Sequence, residues 1–170
     1  GITADNVTIS GGTVTATGEV VGITAYEDVT INGGEVTATG EMVGITAYED
    51  VTINGCEVTA TGDKVGIEAY NNKVTISGGT VTATGSDAGI TAYKNVTING
   101  GEVTATGDTM GIKSDNKVTI SGGTVTATGG TMGISAYGSM IISPQSNQQI
   151  AVTVGTDKNS ARAVDGSPFR

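Results

Sequence analysis

Four tyrosines, Tyr26, Tyr48, Tyr70 and Tyr93, recur at a near-constant interval in equivalent surroundings, and Tyr137 follows two intervals later. A tyrosine ring offers an apolar face to the C–H groups of a sugar and a hydroxyl for hydrogen bonding, at little cost in side-chain entropy. A stripe containing Tyr26, Tyr48, Tyr70 and Tyr93 is therefore a candidate glycan platform. Its structural alternative is a ladder of rings that stack and cover one corner.

Threonines make a second regular array. One column runs Thr15, Thr37, Thr59, Thr82, Thr104, Thr126 and a parallel one Thr17, Thr39, Thr61, Thr84, Thr106, Thr128. On stacked strands this Thr-x-Thr grid would repeat about every 4.8 Å across strands and roughly 6.6 Å along them, a lattice of hydroxyls and methyls suited to binding ice. Threonine is also a favoured exposed strand residue that packs well on its own kind. The neighbouring column, Thr13, Glu35, Glu57, Thr80, Glu102, Thr124, interrupts the flat face with charge.

Acids gather in two places: a broken column of Glu19, Glu41, Asp63 and Asp108, and the pairs Glu27-Asp28 and Glu49-Asp50. Carboxylates one coil apart repel, and calcium would relieve that by collecting several oxygens. Glu27, Asp28, Glu49 and Asp50 are thus weak candidates for calcium bridging, with a solvated negative face as the plainer reading.

Catalysis has little to work with. The chain has no histidine, both arginines (Arg162, Arg170) lie in the last nine residues, and no solitary carboxylate pair stands out from the pattern. General acid–base chemistry therefore has no evident site, and the expectation is a protein that is not an enzyme. Lys64, Lys73, Lys94, Lys113 and Lys117 read as scattered solubilising charges. A net charge of −9 argues against nucleic-acid partners, which require a basic stripe. No apolar run approaches the roughly 20 residues of a membrane span. The single cysteine, Cys56, rules out an intramolecular disulfide framework, and its place at a corner glycine position predicts an exposed thiol.

The elements that position these columns follow from an internal repeat. Gly-Ile recurs at Gly1, Gly22, Gly44, Gly66, Gly89, Gly111 and Gly133, a period of about 22 residues. Each unit holds three short alternating segments, such as Ile23–Tyr26, Val29–Ile31 and Val36–Thr39, separated by glycine or polar corners. Alternation puts one face inward, and the predicted inward set is Ile23, Ala25, Val29, Ile31, Val36, Ala38 and Val43. Length changes between units fall between the first and second segments, which marks that place as a surface corner. A helical repeat of this period would be rich in glycine, threonine and valine, all poor helix formers. The expected fold is an all-β, single-stranded, three-sheet parallel β-helix, or β-solenoid, of about seven coils.

The repeats start at residues 1, 22, 44, 66, 89, 111 and 133, and the helix is expected over residues 1–155. The seventh unit is modified into a C-terminal cap by Ser143–Gln149 and Ile150–Val154, and residues 156–170 form a polar tail. Because Gly1 opens an ordinary repeat, further repeats or domains are expected before it in a longer parent protein.

The motif Val-Thr-Ile-Ser-Gly-Gly-Thr-Val-Thr-Ala-Thr-Gly, present at Val7–Gly18, Val74–Gly85 and Val118–Gly129, resembles the threonine- and glycine-rich β-helix repeats, often described as carbohydrate-binding domains, of clostridial and related bacterial surface proteins. The resemblance covers about the first 140 residues and is echoed in Val152–Phe169. It implies a right-handed parallel β-helix that is extracellular, structural or adhesive, without catalytic activity, and able to bind a polysaccharide or another cell-surface ligand. It carries over no particular binding residue.

Overall fold

The computed structural model describes residues 1–143 and the backbone of Ile150–Val154. The tail expected at 156–170 and most of the Ser143–Gln149 corner lie outside the described residues. Every regular element described is a β-strand. Ile2–Ala4, Val21–Ala25, Val43–Ala47, Val65–Ala69, Ala88–Ala92, Met110–Ser114 and Met132–Ala136 stack in that order as a seven-stranded sheet, each strand parallel to the next. The chain is a β-solenoid, and its period is the Gly-Ile period of the sequence.

The second and third segments of each unit join one twelve-stranded sheet that folds around the Asn-Gly-Gly corner. In two early coils the backbone runs through this corner as the single strands Val7–Gly18 and Val29–Gly40, whereas the next coil is divided into Val51–Ile53 and Cys56–Gly62. Three faces thus arise from two hydrogen-bonded sheets. The corner does not interrupt the ladder because its own amides keep donating to the coil before, as from Asn54 N to the Ile31 carbonyl at 2.8 Å and from Ser77 N to the Ile53 carbonyl at 2.9 Å. The sequence resumes this sheet at Ile150–Val154, which pairs in parallel with the strand Thr124–Gly129.

Strict register turns the alternation of each strand into continuous columns. Ile23 pairs with Ile45, Ile45 with Ile67, Ile90 with Ile112 and Ile112 with Ile134. Val36, Val58, Val81, Val103 and Val125 do the same on another face. All seven residues of the predicted inward set are buried, and Ile23, Ile31, Ile45 and Ile53 have no exposed surface. Fully burying one such side chain contributes about 1.5–3 kcal/mol, so the core accumulates by repetition and does without large aromatic side chains.

Two glycine positions show why the unit has the residues it has. Gly44 packs against the neighbouring strand backbone, and a Cβ there would lie 2.6 Å from Thr61 N and 2.8 Å from the Gly66 carbonyl oxygen. No alanine fits without displacing main chain, which accounts for the repeated Gly-Ile. At the corner the left-handed conformation is taken by Gly34 (φ 88°) and Gly101 (φ 89°).

Cys56 occupies that corner position, since it aligns with Gly79, and here the sequence expectation is corrected. The residue is buried, with 5% of its surface exposed, and its thiol donates toward the Ile31 carbonyl oxygen at 3.7 Å. A cysteine resists positive φ, so the left-handed step moves back to Gly55 (φ 65°) and the side chain swings into the core. Burial pushes the thiol above its ordinary range, outweighing the hydrogen bonds with the Asn54 and Cys56 backbone that act the other way.

Two outcomes are expected. Cys56 in the native protein should react with a water-soluble disulfide reagent far more slowly than in denaturant; equal rates in a thiol-release assay would contradict its burial. Ile53→Asp should abolish the strand signal in circular dichroism, because the carboxylate has no partner in the core and losing the side chain alone costs about 2–5 kcal/mol. Thr52→Asp, one residue away on the outer face, should leave it intact.

Candidate functional site

The first sheet presents two outward columns that run side by side. The residue after each strand forms the tyrosine corner: Tyr26, Tyr48, Tyr70, Tyr93 and Tyr137 are 51% to 79% exposed, the extremes being Tyr48 and Tyr137. Their amides bond one coil back, as in Tyr48 N to the Ala25 carbonyl and Tyr70 N to the Ala47 carbonyl, which fixes the column. Among the described residues one pair of rings stacks, Tyr48 on Tyr70, with centroids 5.8 Å apart and planes inclined by 24°. The expected corner ladder is thus realised at one step, and the remaining rings stand free of it.

Two residues earlier lies the second outward column. It reads Thr3, Thr24, Thr46, Glu68, Thr91, Lys113, Ser135 in register. Glu68 and Lys113 break a run of small hydroxyl residues, and in the coil of Lys113 the tyrosine position is held by Asp115, whose amide donates to the Ala92 carbonyl at 3.1 Å. Neither Glu68 nor Asp115 follows from the repeat. Both stand out once each unit is compared with its neighbours at outward positions, a signal that an inspection of the matching columns passes over. Lys113, read from sequence as a scattered solubilising charge, lies 3.4 Å from the Asp115 carboxylate.

These departures coincide with clefts. One of about 410 Å³ is bordered by Glu68, Tyr70, Asn71, Thr91, Tyr93, Lys113 and Asp115. A second of about 340 Å³ shares Glu68, Thr91 and Lys113 and extends toward Asp87 and Met110. A third, about 760 Å³, continues past Tyr93, Lys94 and Asn116 to Tyr137. Lys113 borders all three, so the clefts adjoin around it, edged by Tyr70, Tyr93 and Tyr137 and lined by charged and hydroxyl groups.

The clefts are held rigidly from behind. Ser114 replaces the alanine found at Ala92 and Ala136 in the same column and is completely buried. Its Oγ lies 2.6 Å from the Lys94 carbonyl oxygen and 3.1 Å from that of Lys117, and accepts from Asn116 N at 3.2 Å. A buried hydroxyl that both donates, with its one proton toward the Lys94 carbonyl, and accepts fixes the corner between Lys113 and Asp115. Glu68 accepts a hydrogen bond from the Thr46 hydroxyl at 3.3 Å. Burial raises the Glu68 carboxyl above the usual range, with that hydrogen bond and the Lys113 charge opposing the rise.

The acidic pairs at the first corner are engaged with one another's coils. Glu27 accepts from the Asn6 side-chain amide at 2.6 Å, and Asp28 accepts from Asp50 N at 3.0 Å. Glu49 accepts from the Asn71 amide at 3.3 Å, and Asp50 pairs with Lys73 at 3.3 Å. No grouping of three or more acidic, cysteine or histidine side chains suited to a metal ion occurs among the described residues. The acids Glu19, Glu41 and Asp63 border a separate cleft of about 410 Å³ with Thr17 and Thr39.

Both threonine columns are in register, Thr37 with Thr59 and Thr39 with Thr61, then Thr82 with Thr104 and Thr84 with Thr106. The grid lies on the twelve-stranded sheet, away from the tyrosine corner. The charged column beside it is also real, pairing Glu35 with Glu57 and Thr80 with Glu102.

Comparison with known families supplies an independent indication. A model of the carbohydrate-binding domain-containing protein family matches residues 43–166. A beta helix repeat model matches residues 7–25 and 29–47. No curated protein and no solved structure matches the chain. No described helix is long and apolar enough to cross a membrane.

The raised Glu68 carboxyl gives a pH-dependent expectation. A folded-state value above the unfolded one means stability that is complete below the unfolded value and is lost as pH rises through the folded one. Glu68→Gln should therefore raise the melting temperature at neutral pH, and the difference should vanish below about pH 4. A variant less stable than the parent at pH 7 would show that the carboxylate is stabilised rather than strained.

Proposed function

Because the chain belongs to the carbohydrate-binding domain-containing protein family, we propose that its tyrosine face binds an extended neutral polysaccharide as a non-catalytic, extracellular module of a bacterial surface protein. The observation that carries this reading is the coincidence, on one face, of a column of exposed tyrosines and clefts bordered by three of them, Tyr70, Tyr93 and Tyr137. Equivalent rings recur over the four successive coils from Tyr26 to Tyr93, at a coil rise of about 4.8 Å, and again at Tyr137, so a polymer gains several contacts where a small molecule would use one or two. Ring faces contribute stacking with sugar C–H groups, and the hydroxyls of the Thr46 and Thr91 column contribute hydrogen bonds. A polyanion would meet a chain of charge −9 and would need calcium to bridge it.

The regular register of the threonine columns supports a second reading, in which the grid of Thr37, Thr39, Thr59 and Thr61 and their counterparts binds ice. Thermal hysteresis at micromolar protein, lost on changing Thr59 and Thr82 to tyrosine, would favour it over the glycan reading; no hysteresis in the parent chain ends it.

The glycan reading is tested by pull-down on neutral polysaccharides and on polygalacturonate, with and without calcium and chelator. Retention on a neutral glycan should persist in high salt and disappear when Tyr48, Tyr70 and Tyr93 are changed to alanine. Retention only on polygalacturonate with calcium, abolished by Glu49→Gln and Asp50→Asn, would transfer the site to the acidic corner. New reducing ends released from any of these polymers would overturn the non-catalytic assignment. Surface labelling of intact cells carrying the parent protein tests the location.

A further inference from the structure

A strictly periodic surface cannot decide where along itself a periodic polymer should sit. Shifting the polymer by one coil exchanges each contact for an identical one, so every register has the same free energy and the ligand slides. Only residues that break the repeat can favour one position. Beyond the first coil, where Asp5 stands at the tyrosine position, such residues on the tyrosine face concentrate in one place: Glu68 and Lys113 replace threonine, with Thr91 between them in register, and Asp115 replaces tyrosine.

We propose that Glu68, Thr91, Lys113 and Asp115 form the subsite that sets the register of a neutral polysaccharide on this face. The inference rests on the glycan reading above and adds the position and polarity of its anchor. The four residues border the same cleft of about 410 Å³, with Tyr70 and Tyr93 at its edge. Their chemistry is complementary to a polyol: two carboxylates accept from sugar hydroxyls, the Lys113 ammonium donates, and Thr91 does either. Hydrogen bonds to charged groups are about twice as strong as neutral ones, so one sugar held here gains more than a sugar over Thr24 or Thr46. With Glu68 and Asp115 set against the single Lys113, the cleft holds more negative than positive groups and does not favour an anionic polymer. Buried Ser114 holds the backbone between them in place, so the groups are preorganised, which reduces the ordering cost of binding.

The test uses the full chain and hexasaccharides of β-1,4-glucan, β-1,4-xylan and β-1,4-mannan carrying a spin label at the reducing end, with amide broadening read by NMR. In the parent protein the hexasaccharide that binds should broaden amides around Thr91 and Lys113 and leave those near Tyr26 sharp. Restoring the repeat with Glu68→Thr, Lys113→Thr and Asp115→Tyr together should spread the broadening along the face from Tyr26 to Tyr137. Because each replacement is the residue found at equivalent positions of other coils, the variant should fold, which its melting curve checks. Lys113→Met alone should weaken hexasaccharide binding about tenfold. Broadening already spread evenly in the parent, an unchanged pattern in the restored variant, or a Lys113→Met affinity within about twofold of the parent would overturn the anchor and leave the glycan reading standing. Polymer retention without hexasaccharide binding would do the same. Failure of the parent to bind any of the polymers or hexasaccharides would overturn both.

Discussion

Everything in this protein depends on the parallel hydrogen-bonded stacking of one coil on the next in unbroken register. A strand rises by residues that point alternately in and out, and a neighbour displaced by one residue would turn its aliphatic side chains to water. Once register is kept, identical residues fall on identical residues, and the interior becomes columns of isoleucine, valine and alanine. Columns of like shape pack without the size matching that a globular core requires, so a chain with one phenylalanine and no tryptophan still closes an aliphatic core. Tight backbone approach at Gly44 and its counterparts is the other half of this constraint, because the faces meet closely enough to exclude a Cβ.

The same stacking governs the surface. Outward residues are also repeated, which gives the surface many equivalent positions. It also places like charges above one another. The acidic first corner accommodates this by giving each carboxylate a donor from the adjacent coil: Asn6 for Glu27, Asn71 for Glu49, and Lys73 for Asp50. The amide ladder of Asn54 on Asn32, 2.9 Å apart, satisfies the next corner in the same manner. Repetition thus gives the fold its stability and gives the face its uniformity, while identity at any one position on that face has to come from departures such as Glu68, Lys113 and Asp115.

How much of this was legible in the sequence varies with the range of the interaction. The inward columns, the coil boundaries and the corners could be read directly, because each is a local pattern of alternation and glycine repeated many times, and repetition converts a weak local preference into a strong one. The tyrosine and threonine columns were legible for the same reason. Glu68 and Asp115 were not, since a single substitution in one unit carries no periodic signal, and its partners stand one or two coils away at Thr46 and Lys113. The continuity of the second and third segments in one folded sheet also escaped the sequence, because an Asn-Gly-Gly corner reads as an end of strand whether or not its amides go on bonding to the next coil.

Cys56 marks the boundary most sharply. By itself the sequence determined that a corner lies at Asn54–Cys56 and that one residue there departs from glycine. Which residue would take the left-handed step, and where the thiol would point, was decided only by the tertiary structure. A cysteine side chain resists the positive φ that glycine accepts, a neighbouring glycine was at hand to adopt it, and the stacked coils left the core side of the corner as the place for the sulfur. Sequence sets the period and the two faces because those follow from backbone geometry within a strand. The occupants of each cleft and corner are set by coils 22 residues away in the chain and one strand spacing away in space.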